Sequence, residues 1–187
     1  MRLFVAVYPP EAVADHFASC VARLRVSAAA RDGVNTRVAP RPNWHVTLAF
    51  LGEVPDERLV SASEAVERAA AVTTPFEVRL GGGGRFGRGR FTVLWAGVRG
   101  DVPALAGLSR SVRRELKRER LPYDPKPLRP HLTVARPGDR IDRALVDADR
   151  AALDAYEGPP WRVDEVVLMR SHQGPHPTYD RLAAWPL

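Results

Sequence analysis

Apolar residues recur along this chain with two periods, and each period predicts its own elements. Residues 2 to 8, Arg-Leu-Phe-Val-Ala-Val-Tyr, are rich in Val and Phe and alternate as a strand does. Pro9-Pro10-Glu11 then puts proline and an acid where a helix starts, and Val13, Phe17, Val21 and Leu24 keep a helical stripe. A second helix opens at Pro55-Asp56-Glu57, turns Leu59, Val66 and Ala70 inward, and stops at Pro75. The clearest helix covers 103–120: Leu105, Leu108, Val112 and Leu116 share one face, while Arg110, Arg113, Arg114, Lys117 and Arg118 occupy the others. Further strands are predicted at 36–38, 76–80, 91–98, 161–169 and 179–185, and a partly helical piece at 141–153. The stretch 27–40 reads as a mobile connection, and the prolines of 122–137 as a rigid approach to another strand.

One strand pattern occurs twice. His45-Val46-Thr47-Leu48-Ala49-Phe50-Leu51-Gly52 returns as His131-Leu132-Thr133-Val134-Ala135-Arg136-Pro137-Gly138, with His, Thr, Ala and Gly at identical offsets. Even the approach is echoed, by Arg41-Pro42 and Arg129-Pro130. Strict alternation places His, Thr and Ala on one face and sends Val46, Leu48 and Phe50 into a core. An internal duplication is implied, each half supplying half of a site. A third His-x-Thr, His176-Pro177-Thr178, has proline in the middle and reads as a loop or sheet edge.

Two imidazoles facing across a cleft suit in-line displacement at phosphorus, one taking a proton from water and the other giving one to the leaving oxygen. The two Thr hydroxyls suit the non-bridging oxygens. Pseudo-symmetry leaves open which His is the acid. No metal or cofactor is expected, since His172 and His176 stand four apart but are separated by Gly174 and Pro175, which exclude a ligand-bearing helix. Gly81 to Arg90 formally contains Gly-x-Gly-x-x-Gly at Gly82, Gly84 and Gly87, yet a strand comes after it rather than a helix, so the dinucleotide reading is rejected. The stretch reads instead as a turn whose Arg85, Arg88 and Arg90, with Phe86 among them, offer guanidinium for phosphate and a ring for stacking.

Composition adds little. A net charge of +6 favours a polyanionic partner. The single cysteine, Cys20, set in a helical pattern, excludes an intrachain disulfide and a Cys-rich zinc site. The apolar run 3–8 is too short for a signal sequence or a membrane span, and a soluble cytoplasmic protein with no membrane partner is expected. His16, among helix residues, is read as a surface or capping group.

The paired His-x-Thr motifs resemble those of the 2H phosphoesterase superfamily, and more closely its RNA 2′,3′-cyclic phosphodiesterase branch, also called 2′-5′ RNA ligase. The resemblance runs from the opening strand through Val93-Leu94-Trp95-Ala96-Gly97 to Trp185-Pro186-Leu187. It implies an α+β fold of two pseudo-symmetric lobes of mostly antiparallel sheet, helices outside and the cleft between, with 1–187 a single bilobal domain whose chain crosses between lobes. It also implies metal-independent hydrolysis of RNA 2′,3′-cyclic ends to 2′-phosphomonoesters, with His45 as proton donor, His131 as acceptor, Thr47 and Thr133 on the phosphate, and reverse 2′-5′ ligation as a side activity. Phe86, Arg90 and Arg129 are the substrate-binding candidates, a tRNA-derived 3′ end the substrate and a monomer the expected state. Two alternatives stand beside this: a phosphodiesterase for a small cyclic phosphate, such as a cyclic nucleotide or ADP-ribose cyclic phosphate, and a non-catalytic RNA-binding protein.

Overall fold

Residues 1–174 and 177–187 are described by the computed structural model; the third His-x-Thr and the His172/His176 pair fall partly outside them. Among these residues one sheet has the order β3 (Val46–Glu53), β1 (Arg2–Val7), β8 (Glu165–His172), β9 (Thr178–Pro186). The second has the order β2 (Arg37–Val38), β6 (His131–Arg136), β5 (Val93–Gly100), β4 (Phe76–Phe86), β7 (Trp161–Val163). All of the pairings are antiparallel. The motif strands β3 and β6 thus lie one in each sheet. The chain passes back and forth, since β2 joins the second sheet before β3 joins the first, and β8 and β9 return to the first at the end.

Helices α3 (Leu59–Ala70) and α4 (Val102–Arg118) pack on the first sheet, and α5 (Arg143–Ala155), with α2 (Arg25–Arg31), on the second. On α4 the four expected apolar residues are buried, and Asp101 caps the helix by accepting from the Ala104 N–H at 2.9 Å. Alanines 62, 65, 69 and 70 line the buried side of α3, which lets the two helices approach closely. Helix α1 (Glu11–Val21) buries Val13, Phe17 and Cys20. His16 is exposed, as expected of a surface group, and its Nδ1 lies 2.7 Å from the Tyr156 hydroxyl.

Helix α2 overlaps the start of the stretch read as a mobile connection. Its stability comes from afar: Asp149 of α5, 2 % exposed, accepts from the backbone N–H groups of Arg25 and Val26 at 2.7 and 2.8 Å, a cap supplied by tertiary structure. The glycine run is likewise strand rather than turn. β4 continues to Phe86, and the turn is confined to 87–92, with a 3₁₀ turn at Gly89–Phe91. A Cβ on Gly84 would fall 1.9 Å from the Trp95 ring, and one on Gly83 would fall 2.2 Å from the Arg150 carbonyl oxygen. Glycine here lets the indole lie across the strand on one side and α5 close on the other. The single strand expected at 161–169 is broken at Asp164, where the chain leaves the second sheet for the first.

Candidate active site

Strict alternation along the motifs does not hold, and the departure shapes the cleft. Val5 of β1 pairs with Ala49 and Ala6 with Thr47, so Leu48 is an extra residue in β3. Leu94 of β5 pairs with Ala135 and Trp95 with Thr133, so Val134 is an extra residue in β6. The bulge falls at the same offset in both copies and re-phases the side chains beyond it. Ala49, expected beside His45 and Thr47, is 1 % exposed and belongs to the main core, as does Ala135 at 0 %, which also borders the cavity beside Thr133. Phe50, expected in that core, lines the cleft instead, and so does Arg136, its counterpart in the second motif. Carbonyls displaced by the bulges find partners outside the ladder: Leu48 O accepts from Ser109 Oγ of α4 at 2.7 Å, and Val134 O from the Ala39 N–H at 2.8 Å.

The histidines are held alike. His45 Nδ1 is 2.8 Å from the Asn43 carbonyl oxygen, and His131 Nδ1 is 2.6 Å from that of Arg129, each two residues upstream. A carbonyl oxygen only accepts, so Nδ1 carries the hydrogen in both rings and Nε2 is the nitrogen that exchanges protons. The turn behind His45 is anchored in its own right, since Asn43 Nδ2 donates to the Pro177 carbonyl at 2.8 Å.

Aromatic rings wall both imidazoles. His45 has Phe4 at 4.8 Å, Tyr179 edge-on at 5.3 Å and Tyr8 at 5.6 Å between centroids. His131 has Phe86 edge-on at 4.9 Å and Trp95 at 5.9 Å. Burial among these rings disfavours the imidazolium and pushes His45 down to about 4, against the upward pull of the Asn43 carbonyl; the neighbouring His131 lowers it further. His131 is also lowered by burial, opposed by the Arg129 carbonyl. The motif strands β3 and β6 come into contact with each other between the two sheets. Between the sheets is a cavity of about 570 Å³ lined by His45, Thr47 and Thr133. Among the described residues, no three His, Cys, Asp or Glu side chains gather as a metal-ligand set.

Known proteins are similar to this chain in sequence and fold. A family model for the 2′-5′ RNA ligase superfamily matches residues 9–175. The chain belongs to that superfamily. Among its curated members, a protein of Thermus thermophilus named RNA 2′,3′-cyclic phosphodiesterase is 32% identical over 204 aligned positions, which cover 100% of this chain and 90% of that protein. One of the same name from Geobacillus stearothermophilus is 34% identical over 146 positions, covering 78% of this chain; the chain spans only 46% of that relative's length. The 2H phosphoesterase fold of the superfamily is seen in the crystal structure of TT0787 of Thermus thermophilus, which matches with a TM-score of 0.79 at 28% identity, covering 100% of this chain and 98% of that one.

Other expected site residues are placed unevenly. Phe86 stands against His131. Arg90 sits at the exposed hairpin tip with its guanidinium 4.8 Å above the Phe91 ring. Arg129 is exposed and serves the site through its backbone carbonyl. Arg85 lies 3.5 Å from Asp147 of α5. Sequence reasoning missed Phe4, Tyr8 and Tyr179 around His45, and Arg2, Arg37 and Arg136 along the cavity. A signal existed for the first strand, since Arg2, Phe4, Ala6 and Tyr8 occupy alternate positions of one run. No helix among the described residues is long and apolar enough to cross a membrane.

Proposed function

We propose that this chain hydrolyses the 2′,3′-cyclic phosphodiester at the 3′ end of RNA to a 2′-phosphomonoester, with no metal ion in the reaction. The observation that carries the reading is the repeated fixture: two His-x-Thr strands in facing sheets, each imidazole tied through Nδ1 to a carbonyl two residues upstream. In the proposed step His131 Nε2 takes a proton from water as its oxygen attacks phosphorus. The P–O3′ bond breaks in line, and His45 Nε2–H protonates the departing O3′. The Thr47 and Thr133 hydroxyls donate to the non-bridging oxygens as their charge grows. The proton load is then reversed between the rings, and exchange with water resets it.

His45 is neutral in the empty cleft near neutral pH, because burial holds it down to about 4. A bound phosphate anion supplies the opposite charge that raises it, so the acid is armed by the substrate. A tRNA-derived end, a cytoplasmic setting, a monomeric state and reverse 2′-5′ ligation belong to the same reading. The test is a chromatographic assay on a nucleoside 2′,3′-cyclic phosphate with and without EDTA, identifying the product isomer. Formation of the 2′-phosphate at equal rates in both supports the reading. A 3′-phosphate, or activity lost in EDTA and restored by a divalent ion, overturns it.

A further inference from the structure

Of the basic residues on α4, Arg110, Arg114, Lys117 and Arg118 are exposed, whereas Arg113 is half-buried where the helix packs on β3. Its guanidinium forks between two backbone carbonyls: Nη1 donates to Lys126 O at 2.5 Å, and Nη2 makes a longer reach to Leu48 O at 3.4 Å. Leu48 is the bulge residue of the first motif. Lys126 belongs to the segment that carries the chain from α4 to the second motif, a few residues before His131.

That segment is tied to the first motif at a second point. The Asp124 N–H donates to Phe50 O at 2.8 Å, and Asp124 Oδ1 accepts from the Lys126 N–H at 3.0 Å, a local turn that fixes how the Lys126 carbonyl is presented. Leu128 packs against the main core, and the Arg129 carbonyl then accepts from His131 Nδ1 at 2.6 Å. A continuous run of contacts leads from the bulge beside Thr47, through Arg113, to the carbonyl that orients His131. Stability alone does not account for an arginine at this place. Its Nε is buried with no hydrogen-bond partner among the described residues, and an unanswered donor costs free energy. The Leu48 carbonyl already has Ser109, and Lys126 is exposed, where water serves its carbonyl.

We propose that Arg113 is a positioning residue for the reaction: it ties the approach of the second motif to the bulge of the first and so sets where His131 Nε2 stands relative to His45. The inference rests on the proposed hydrolysis. In-line displacement needs base and acid on opposite sides of one phosphorus, and a misplacement of about 1 Å costs on the order of a hundred-fold in rate. His45 is held independently through the Asn43 carbonyl, and Leu48 O keeps its bond from Ser109 whether or not Arg113 is present. Loss of the fork is therefore felt at His131 and not at His45.

Arg113→Met keeps the apolar stem and removes the fork, while Arg113→Lys keeps the charge on a single ammonium. Both are compared with the wild type and Ser109→Ala on a nucleoside 2′,3′-cyclic phosphate, with thermal melting and imidazole ¹⁵N NMR of each protein. Arg113→Met is expected to melt close to the wild type and to lose about ten- to hundred-fold in kcat, with KM changed by less than about three-fold. Its His131 resonances are expected to move while those of His45 stay in place. Ser109→Ala is expected to show the opposite balance, a raised KM with kcat and the His131 signals kept. Arg113→Lys is expected to lie between the methionine variant and the wild type in both kcat and the His131 shift, and it decides the matter if the methionine variant does not fold. Wild-type kcat with unmoved His131 resonances in the Arg113 variants that fold, or equal displacement of both imidazoles, overturns the inference. If the wild type fails to turn over the cyclic phosphate, the proposed hydrolysis falls, and the spectra still decide whether Arg113 holds His131.

Discussion

Ser109 of α4 donates its hydroxyl to the carbonyl of Leu48, the bulge residue that turns Phe50 out of the core and into the cleft. The side chain is 1 % exposed, so water does not reach the bond. Ser109→Ala removes that bond and leaves the longer 3.4 Å contact from Arg113 Nη2. The loss is expected to cost about 1–2 kcal/mol of stability, as for one buried hydrogen bond. Chemical denaturation checks the stability. If the bulge positions the cleft wall, KM for the cyclic phosphate should rise while the pH profile of kcat keeps its shape.

The histidines are expected to act as a unit. Each His→Ala should lower kcat/KM on a 2′,3′-cyclic phosphate by about 10²–10⁴, and the double variant should fall well short of the product of the two losses. Thr47→Ala and Thr133→Ala should be milder, each removing one hydrogen bond to a phosphoryl oxygen. Steady-state assays of the four single variants and the double variant, with circular dichroism as the folding control, measure this. A folded His131→Ala protein with near wild-type turnover would remove the base.

Acid should weaken both activity and fold. Both imidazoles lie below the usual value of 6.5 in the folded protein, His45 at about 4, so the unfolded chain binds more protons between these limits. Stability therefore rises with pH across that window, is fully present above about 6.5, and is lost as pH falls toward 4. Replacing His45 with Asn should flatten the dependence, which denaturation at a series of pH values would show. In the free protein both limbs of kcat/KM should lie below 6.5, and imidazole ¹⁵N NMR should show His45 neutral with its hydrogen on Nδ1 at pH 6. Adding inorganic phosphate should move its titration upward.

Gly84 sets the distance between β4 and the Trp95 ring that flanks His131. Gly84→Ala places a methyl inside that ring, and overpacking of this kind is expected to cost about 1–3 kcal/mol. The displaced indole should reach the chemistry as well, shifting the His131 titration seen by NMR and lowering kcat/KM more than Gly174→Ala, where an added Cβ meets nothing within 4 Å. Equal effects from the two substitutions would detach Trp95 from the site.

The duplicated motif was legible because His and Thr two apart obey strand period, and the α4 stripe because its apolar residues obey helical period. What escaped was the bulge. An inserted residue changes which side chains face the cleft without leaving any mark in the pattern of apolar and polar letters, so Phe50 and Ala49 were expected on each other's faces. The helix α2 escaped because its cap, Asp149, lies more than a hundred residues away in sequence. Arg2, Arg37 and Arg136 come from three strands in two sheets, and only the folded chain makes neighbours of them. The glycine run misled for a different reason: its small residues answer to Trp95 and α5, contacts that turn chemistry does not foresee.

The position of β1 has a consequence for how the chain comes off the ribosome. β1 is interior to its sheet, with one side taken by β3 at residues 46–53 and the other by β8 at residues 165–172. Its first partner emerges early, but the second comes some 160 residues after β1, which at about 5–20 residues per second means a wait of roughly 10–30 s. Through that interval the nascent sheet presents an unpaired edge made of Leu3, Phe4, Val5 and Ala6, the kind of edge to which other chains add. Shielding of that edge during synthesis is then expected to raise the yield of folded protein without any change in the finished fold.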